Sequence, residues 1–284
     1  MPELPEVEFA RSCLSRWLRG HTLRQVEADP TRVIRGATPQ AFAALARHRV
    51  KKVERRGKWL LVSLGSDLGL LAHLGMTGKF ELSRPGAPPV RWSRVRFTRS
   101  DGAVVHYRDP RQFGHLRVAP LAELMVTDPL ASLGPDAKDD PPTARELTVR
   151  FGKRRRPVKE VLMDQTVIAG LGNIQVTEAL FLARVHPARR ADSLTSEEIE
   201  RVRRGIAKSL ARTLAMNKGD KIVYVEESKR TENPFLIYGK AKSPCPVCHT
   251  PIRKMVLGGR TSAFCAICQP RTARAPRPSR DRAK

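Results

Sequence analysis

Residues 245–268 read CPVCHTPIRKMVLGGRTSAFCAIC, and the cysteine spacing in this stretch decides how the C-terminal end of the chain folds. Cys245 and Cys248 form one CxxC knuckle, Cys265 and Cys268 a second, with sixteen residues between them. That separation lets four thiolates surround one Zn²⁺ tetrahedrally. Four protein ligands leave no open coordination position, so the ion is structural and supplies folding energy that so short a segment lacks by itself. Two reduced redox pairs would need a thioredoxin-like βαβ context, which is missing here. His249 reads as a solvent-facing knuckle residue, and Cys13, far upstream, as a small packed side chain. Gly258-Gly259-Arg260-Thr261 falls at the expected hairpin tip between the knuckles. Glycines let backbone approach a phosphate, which Arg260 can grip with two donors. A solvated turn with an incidental arginine fits the residues equally well.

Outward from this stretch the chain is strongly basic. Of 284 residues, 53 are Lys or Arg and 28 Asp or Glu, a net charge of +25 with a pI near 10.9. Such a balance argues against an ordinary metabolic enzyme and points to a polyanion, nucleic acid before an anionic membrane surface. A hydrophobic share of 40% is enough for real cores, so wholesale disorder is excluded. The most apolar run, Leu60 to Met76, is interrupted by Ser63, Ser66, Asp67 and His73, so no membrane-spanning helix is expected. The opening Met1-Pro2-Glu3-Leu4-Pro5-Glu6 is acidic where a secretory signal is basic, which predicts a cytoplasmic protein and reduced cysteines.

Val7, Ala10, Leu14 and Trp17 recur at helical spacing from Leu4 to Leu18, with Pro5 in the first turn. Residues 20–120 then carry short apolar runs (Val50–Val53, Trp59–Leu64, Gly69–His73, Val95–Thr98, Ala103–Tyr107) between turn residues, which predicts a β-sandwich. Gly134-Pro135-Asp136 and Asp139-Asp140-Pro141-Pro142 predict a hinge. Beyond it, helices are expected at 158–168, 174–184 and 195–215, and Thr143 with Glu146 has capping-box spacing. Residues 217–238 show no period and read as a mobile loop, and the Pro- and Arg-rich tail from Pro270 as disordered. The expected fold class is α+β. The domains expected are a β-sandwich with an N-terminal helix at 1–136, a helical domain at 137–238, a zinc hairpin at 239–269 and a basic tail at 270–284.

The segments MPELPEVE, RRGKWLL, HLGMTGKF, DPRQFG, DQTVIAGLGNIQVTEAL and CPVC…GGRTSAFCAICQ occur in the order of the bacterial formamidopyrimidine-DNA glycosylases. The chain resembles this base-excision repair family from residue 1 to 269. The resemblance implies a helix-two-turns-helix motif in the helical domain, double-stranded damaged DNA as partner, and a monomer. It also implies that Pro2, exposed as a secondary amine once Met1 is removed, attacks C1′ of a damaged nucleotide; an α-amino group has a pKa of roughly 7.7–8.0 and is a usable nucleophile. Loss of the base leaves an iminium that acidifies the C2′ proton, and β,δ-elimination then cuts the strand.

By the same resemblance Glu3 is the general acid/base and Glu6 orients the amine; taken alone, both acids read as caps of the helix dipole. Lys58 resembles the lysine that reaches the phosphate beside the lesion, although a lysine opening a strand is ordinarily solvated. His73 resembles a backbone-phosphate contact, against the plainer reading of a core histidine. Asn173 and Arg260 match the pair that pinches the phosphates flanking the extruded nucleotide, and Lys159 a further phosphate ligand. Met76, Arg111 and Phe113 match the trio that fills the vacated space, bonds the orphaned base and wedges the neighbouring step.

Some positions depart from the family pattern. Gln175 and Thr177 stand where it usually has tyrosine and an acid, although Glu178 is kept, and the 217–222 and 239–242 segments differ as well. Two rivals remain at this point. One is an endonuclease VIII-like glycosylase for oxidised pyrimidines, against which Leu4 and the Met76/Arg111/Phe113 set argue. The other is a non-catalytic DNA-binding zinc protein, which leaves Pro2-Glu3 unexplained.

Overall fold

The computed structural model describes residues 2–65, 67–216 and 233–271. These fall into two compact units. The first holds residues 2–141, 164–172 and 210–216; the second holds 142–163, 173–209 and 233–271. The units cut across the borders expected at 136 and 238, and the zinc-type segment shares its unit with helices. Most of the predicted loop at 217–238 and of the tail at 270–284 lies outside the described residues.

In the first unit, helix α1 (Leu4–Leu18) opens the fold as its apolar spacing requires, burying Val7, Ala10, Leu14 and Leu18. Eight strands follow: β1 (Leu23–Ala28), β2 (Val50–Arg56), β3 (Trp59–Leu64), β4 (Leu68–His73), β5 (Lys79–Ser83), β6 (Ser93–Arg99), β7 (Val104–Arg108) and β8 (His115–Pro120). They form two antiparallel four-stranded sheets, ordered β1-β6-β7-β5 and β2-β3-β4-β8. Both sheets and α1 feed one apolar core that includes Leu14, Val26, Phe42, Leu60, Leu70, Phe97 and Tyr107. A short helix α2 (Leu121–Val126) follows β8. The punctuation at Gly134-Pro135-Asp136 is not a free hinge. Gly134 N–H bonds Gln165 O at 2.9 Å, Ala169 N–H bonds Pro135 O at 2.9 Å and Ala137 N–H bonds Ala169 O at 3.0 Å, pinning the segment to residues 165–169.

The second unit contains helices α3 (Ala144–Phe151), α4 (Val158–Met163), α5 (Asn173–Ala183) and α6 (Ser196–Met216, which continues into the first unit), then β9 (Arg253–Leu257) and β10 (Arg260–Phe264). The predicted capping box is present, with Thr143 Oγ1 accepting from Glu146 N–H at 3.2 Å and Glu146 accepting from Thr143 N–H at 2.7 Å. The helix predicted at 158–168 ends at Met163. Asp164 Oδ1 accepts from both Thr166 N–H (3.1 Å) and Thr166 Oγ1 (2.7 Å), a local turn that competes with helix continuation. A Cβ on Gly205 would stand 2.4 Å from Ala179 O, so α5 and α6 approach as closely as only glycine permits. The departure at Gln175 is met locally, since Ser209 Oγ on α6 donates to Gln175 Oε1 at 2.7 Å and both are buried.

Candidate active site and phosphate contacts

Pro2 is buried at the head of α1, beside the capping Glu3. Glu6 Oε2 accepts from Glu3 N–H at 2.8 Å, and the two acids form a capping box. The two acids thus cap the helix immediately after Pro2. Glu3 Oε2 also accepts from Gly172 N–H at 3.1 Å, and Leu4 N–H donates to Gly170 O at 3.0 Å. A Cβ on Gly172 would lie 2.4 Å from the Glu3 carboxylate, so the segment 170–172 is a fitted cradle for that acid. Burial, and then the charge of Glu3, pushes the Glu6 carboxyl up to about 7. At neutral pH this carboxyl is therefore partly protonated.

Lys58 sits with Gly57 in the two-residue turn between β2 and β3 and is buried, not solvated as its composition suggests. The turn packs on the same cradle segment, because a Cβ on Gly57 would meet Ala169 Cβ at 3.0 Å and Gly170 N at 3.4 Å. Arg55, which the sequence reading passed over, holds this arrangement together. Its buried guanidinium bonds Asp136 at 2.6 and 3.0 Å, Gly57 O at 3.0 Å and Glu8 on α1 at 2.9 Å, and also pairs with Asp139. Asp136 in turn accepts from Gly57 N–H at 2.7 Å. The detectable signal was a charged residue at an inward position of β2.

His73 pairs with Trp59 on one side and His115 on the other across β3, β4 and β8, and the Trp59 ring lies 4.8 Å from His73 and 5.1 Å from His115. Burial, reinforced by the charge of Lys58, lowers its pKa to about 4, so the imidazole is neutral. Its Nδ1 accepts from Gly75 N–H at 3.1 Å, which puts the ring proton on Nε2.

Met76, Arg111 and Phe113 come together on two adjoining loops and stay accessible, with Met76 39% and Phe113 50% exposed and Arg111 exposed as well. Gly75 (φ 61°) has no room for a side chain, since a Cβ would lie 2.4 Å from the Phe113 carbonyl. Buried Asp109 joins the loops, accepting from Thr77 Oγ1 at 2.6 Å and Gly114 N–H at 2.8 Å. The Arg111 guanidinium lies 4.9 Å over the Phe113 ring.

In the second unit, Asn173 begins α5 and is half-buried, its Oδ1 enclosed without a hydrogen-bond partner among the described residues. Arg260 is exposed at the start of β10, directly after a Gly258-Gly259 turn with both φ positive (53° and 71°), the backbone of a two-residue hairpin. Lys159 corrects the expectation of a phosphate ligand. It is 0% exposed, and its Nζ donates to Ser262 Oγ at 2.6 Å and Thr261 O at 3.2 Å. It is an internal strut under the Arg260 strand. Glu178 likewise pins the end of the segment read as mobile, accepting from Leu236, Ile237 and Tyr238 N–H at 2.7, 3.0 and 2.9 Å.

The sulfurs of Cys245, Cys248, Cys265 and Cys268 lie within 4.8 Å of one another, with Cys245–Cys268 at 3.9 Å and Cys248–Cys265 at 3.4 Å. Zn–S bonds of about 2.3 Å set tetrahedral sulfur separations of about 3.8 Å, so the donor set fits zinc. Val247 N–H and Cys268 N–H point at the Cys245 and Cys265 sulfurs, each at 3.4 Å, as stabilises thiolates. His249 is exposed and outside the cluster. Gln269 seats the second knuckle, accepting from Cys265 N–H at 3.0 Å and donating to Val185 O at 2.9 Å.

Residues 1–116 match the formamidopyrimidine-DNA glycosylase N-terminal domain, 133–224 the H2TH domain of the same glycosylase, and 242–271 the zinc finger found in FPG and IleRS. Formamidopyrimidine-DNA glycosylase of Bacillus cereus is 36% identical over 95% of this chain and 100% of its own length. That of Symbiobacterium thermophilum is 41% identical over 95% and 90%. The Lactococcus lactis Fpg (MutM), solved in complex with N7-benzyl-Fapy-dG-containing DNA, superposes with a TM-score of 0.85 at 28% identity, covering 95% of this chain and 100% of that one. No helix among the described residues is long and apolar enough to cross a membrane.

Proposed function

The chain belongs to the formamidopyrimidine-DNA glycosylase family, and from that premise we propose that it removes 8-oxoguanine and formamidopyrimidines from double-stranded DNA, opposite cytosine, and then cuts the strand. As a member it is a DNA glycosylase with AP lyase activity, acting in base excision repair on DNA. The observation that carries the mechanistic reading is the Glu3 carboxylate, buried beside Pro2 and held by Gly172 N–H at 3.1 Å. With Met1 removed, the Pro2 nitrogen attacks C1′, and the C1′–base bond breaks with its electron pair leaving on the base. Glu3 shuttles the protons. The resulting iminium acidifies C2′; loss of that proton expels the 3′ phosphate, and a second elimination expels the 5′ phosphate. Glu6, near half protonation at neutral pH, donates or withholds a proton one helical turn from the amine.

Lys58 and neutral His73, with its Nε2 proton, contact the phosphate beside the lesion; Asn173 and Arg260 hold the flanking phosphates. Met76, Arg111 and Phe113 occupy the space left by the flipped nucleotide. Zn²⁺ at the four thiolates supplies a structural cross-link that positions the Arg260 hairpin. The enzyme acts as a monomer in the cytoplasm. A duplex panel carrying 8-oxoguanine, formamidopyrimidine, thymine glycol and dihydrouracil tests the substrate class. Preferential cleavage at the two purine lesions is expected, and a preference for the pyrimidine lesions overturns the assignment.

A further inference from the structure

Six cations and one acid lie between Arg150 and Glu160, and the mechanism above uses none of the exposed ones. Lys153, Arg154, Arg155 and Arg156 are consecutive and all exposed, in the loop that joins α3 to α4. The loop has a fixed course. Gly152 (φ 48°) turns the chain out of α3, and Arg154 N–H bonds Phe151 O at 3.0 Å. Ala191 N–H then bonds Arg156 O at 3.1 Å, Asp192 N–H bonds Arg154 O at 3.2 Å, and Val158 N–H bonds Arg189 O at 2.7 Å. The acid beside the run, Asp192, already has its two carboxylate oxygens on Arg190, at 2.9 and 2.6 Å. Asp192 also feels the charge of Arg155, so the run is displayed on a rigid backbone beside one acid that Arg190 already engages.

The run also adjoins the Arg260 hairpin within the same unit. One helical turn past Arg156, Lys159 bonds Thr261 O and Ser262 Oγ, and the Glu160 side chain lies beneath Gly258, where a Cβ would meet it at 3.3 Å. We infer that Lys153–Arg156 is a second phosphate-binding surface, continuous with the Arg260 hairpin, that grips the backbone of duplex DNA outside the phosphates flanking the lesion. This rests on the DNA-repair reading for its partner but not on the Pro2 chemistry. A fixed row of cations suits the repeating charge of a duplex, and each neutralised phosphate releases counterion.

The test is binding of the full chain to an undamaged fluorescent duplex across a salt series. Lys153→Gln/Arg155→Gln removes two phosphate contacts, and the slope of log Kd against log salt is expected to shrink by about 2. Lys153→Arg/Arg155→Lys retains the wild-type slope. Arg24→Gln/Lys51→Gln, equal in charge loss and exposed on the first unit, also retains it. Zinc content and melting temperature are measured for each variant to confirm folding. An unchanged slope in Lys153→Gln/Arg155→Gln, or an equal fall in Arg24→Gln/Lys51→Gln, overturns the proposal. Failure of the wild-type chain to form a borohydride-trapped adduct defeats the Pro2 chemistry instead and leaves this measurement standing.

Discussion

The N-terminal site and the zinc hairpin are built in opposite ways. At the N-terminus, three segments distant in sequence meet: the head of α1, the Gly57-Lys58 turn and the cradle at 169–172. Buried polar contacts hold them, chiefly Arg55 with Asp136, Glu8 and Gly57, and Glu3 with Gly172. At the hairpin, four sulfurs within one 24-residue stretch converge into a set that fits a metal, which would do the joining. The first arrangement depends on long-range ion pairs in low dielectric, where removal of one partner is costly. The second depends on local spacing and a cross-link, and fails when the ion is withdrawn.

The largest effect that can break this comparison is at Pro2. A chain whose N-terminal extension blocks the Pro2 nitrogen should lose strand cleavage by on the order of 10³-fold or more, while still binding abasic-site duplex in a gel-shift assay. Chelation of zinc, or Cys265→Ser, comes next. Circular dichroism and DNA binding should show the hairpin unfolded and duplex affinity lost, whereas the apolar core of the first unit keeps its melting transition.

Asp136→Asn sharpens the contrast from the other side. It leaves the Arg55 guanidinium buried with Glu8 and Asp139 as its remaining acids, a loss of about 3 kcal/mol, toward the low end for breaking a buried ion pair. Cleavage should fall with zinc content unchanged, and chemical denaturation measures the stability loss directly. Lys159→Met is expected to cost about 1.5–3 kcal/mol as a hydrogen-bonded charge is lost from the second unit. Because Lys159 touches no solvent, its substitution should weaken DNA binding without altering the salt slope.

A further test is a pH dependence. Glu6 has a folded pKa near 7, above that of an unfolded carboxyl, so the folded chain holds an extra proton between roughly 4.5 and 7. This contribution to stability is present at low pH and is lost as pH rises through 7. Glu6→Gln retains an acceptor for Glu3 N–H and should flatten the decline in melting temperature between pH 5 and pH 8; an unchanged decline would show that Glu6 is not the titrating group.

The same contrast governs what could be read from sequence. The hairpin was legible from residues alone, because CxxC spacing and a Gly-Gly turn are local signals. Helix α1 was legible for the same reason, through Val7, Ala10 and Leu14. The N-terminal site was not: Pro2, Glu3 and Lys58 acquired meaning through resemblance, Arg55 and Asp109 were passed over, and Asp136 was read only as part of a hinge, because partners such as Asp136 for Arg55 and Thr77 for Asp109 lie far along the chain. Lys159 was misread as a phosphate ligand, since its partners Thr261 and Ser262 are about a hundred residues away. The early end of α4 and the pinned segment 236–238 were missed because one aspartate turn and one glutamate outweigh the apolar period and the lack of one.

The central claim is that Pro2 is the nucleophile, and borohydride reduction during turnover on an 8-oxoguanine duplex tests it most directly. Peptide mapping should locate a covalent DNA adduct on the Pro2 nitrogen. No adduct with 8-oxoguanine, formamidopyrimidine or abasic duplex, or an adduct on a lysine side chain, would contradict the account.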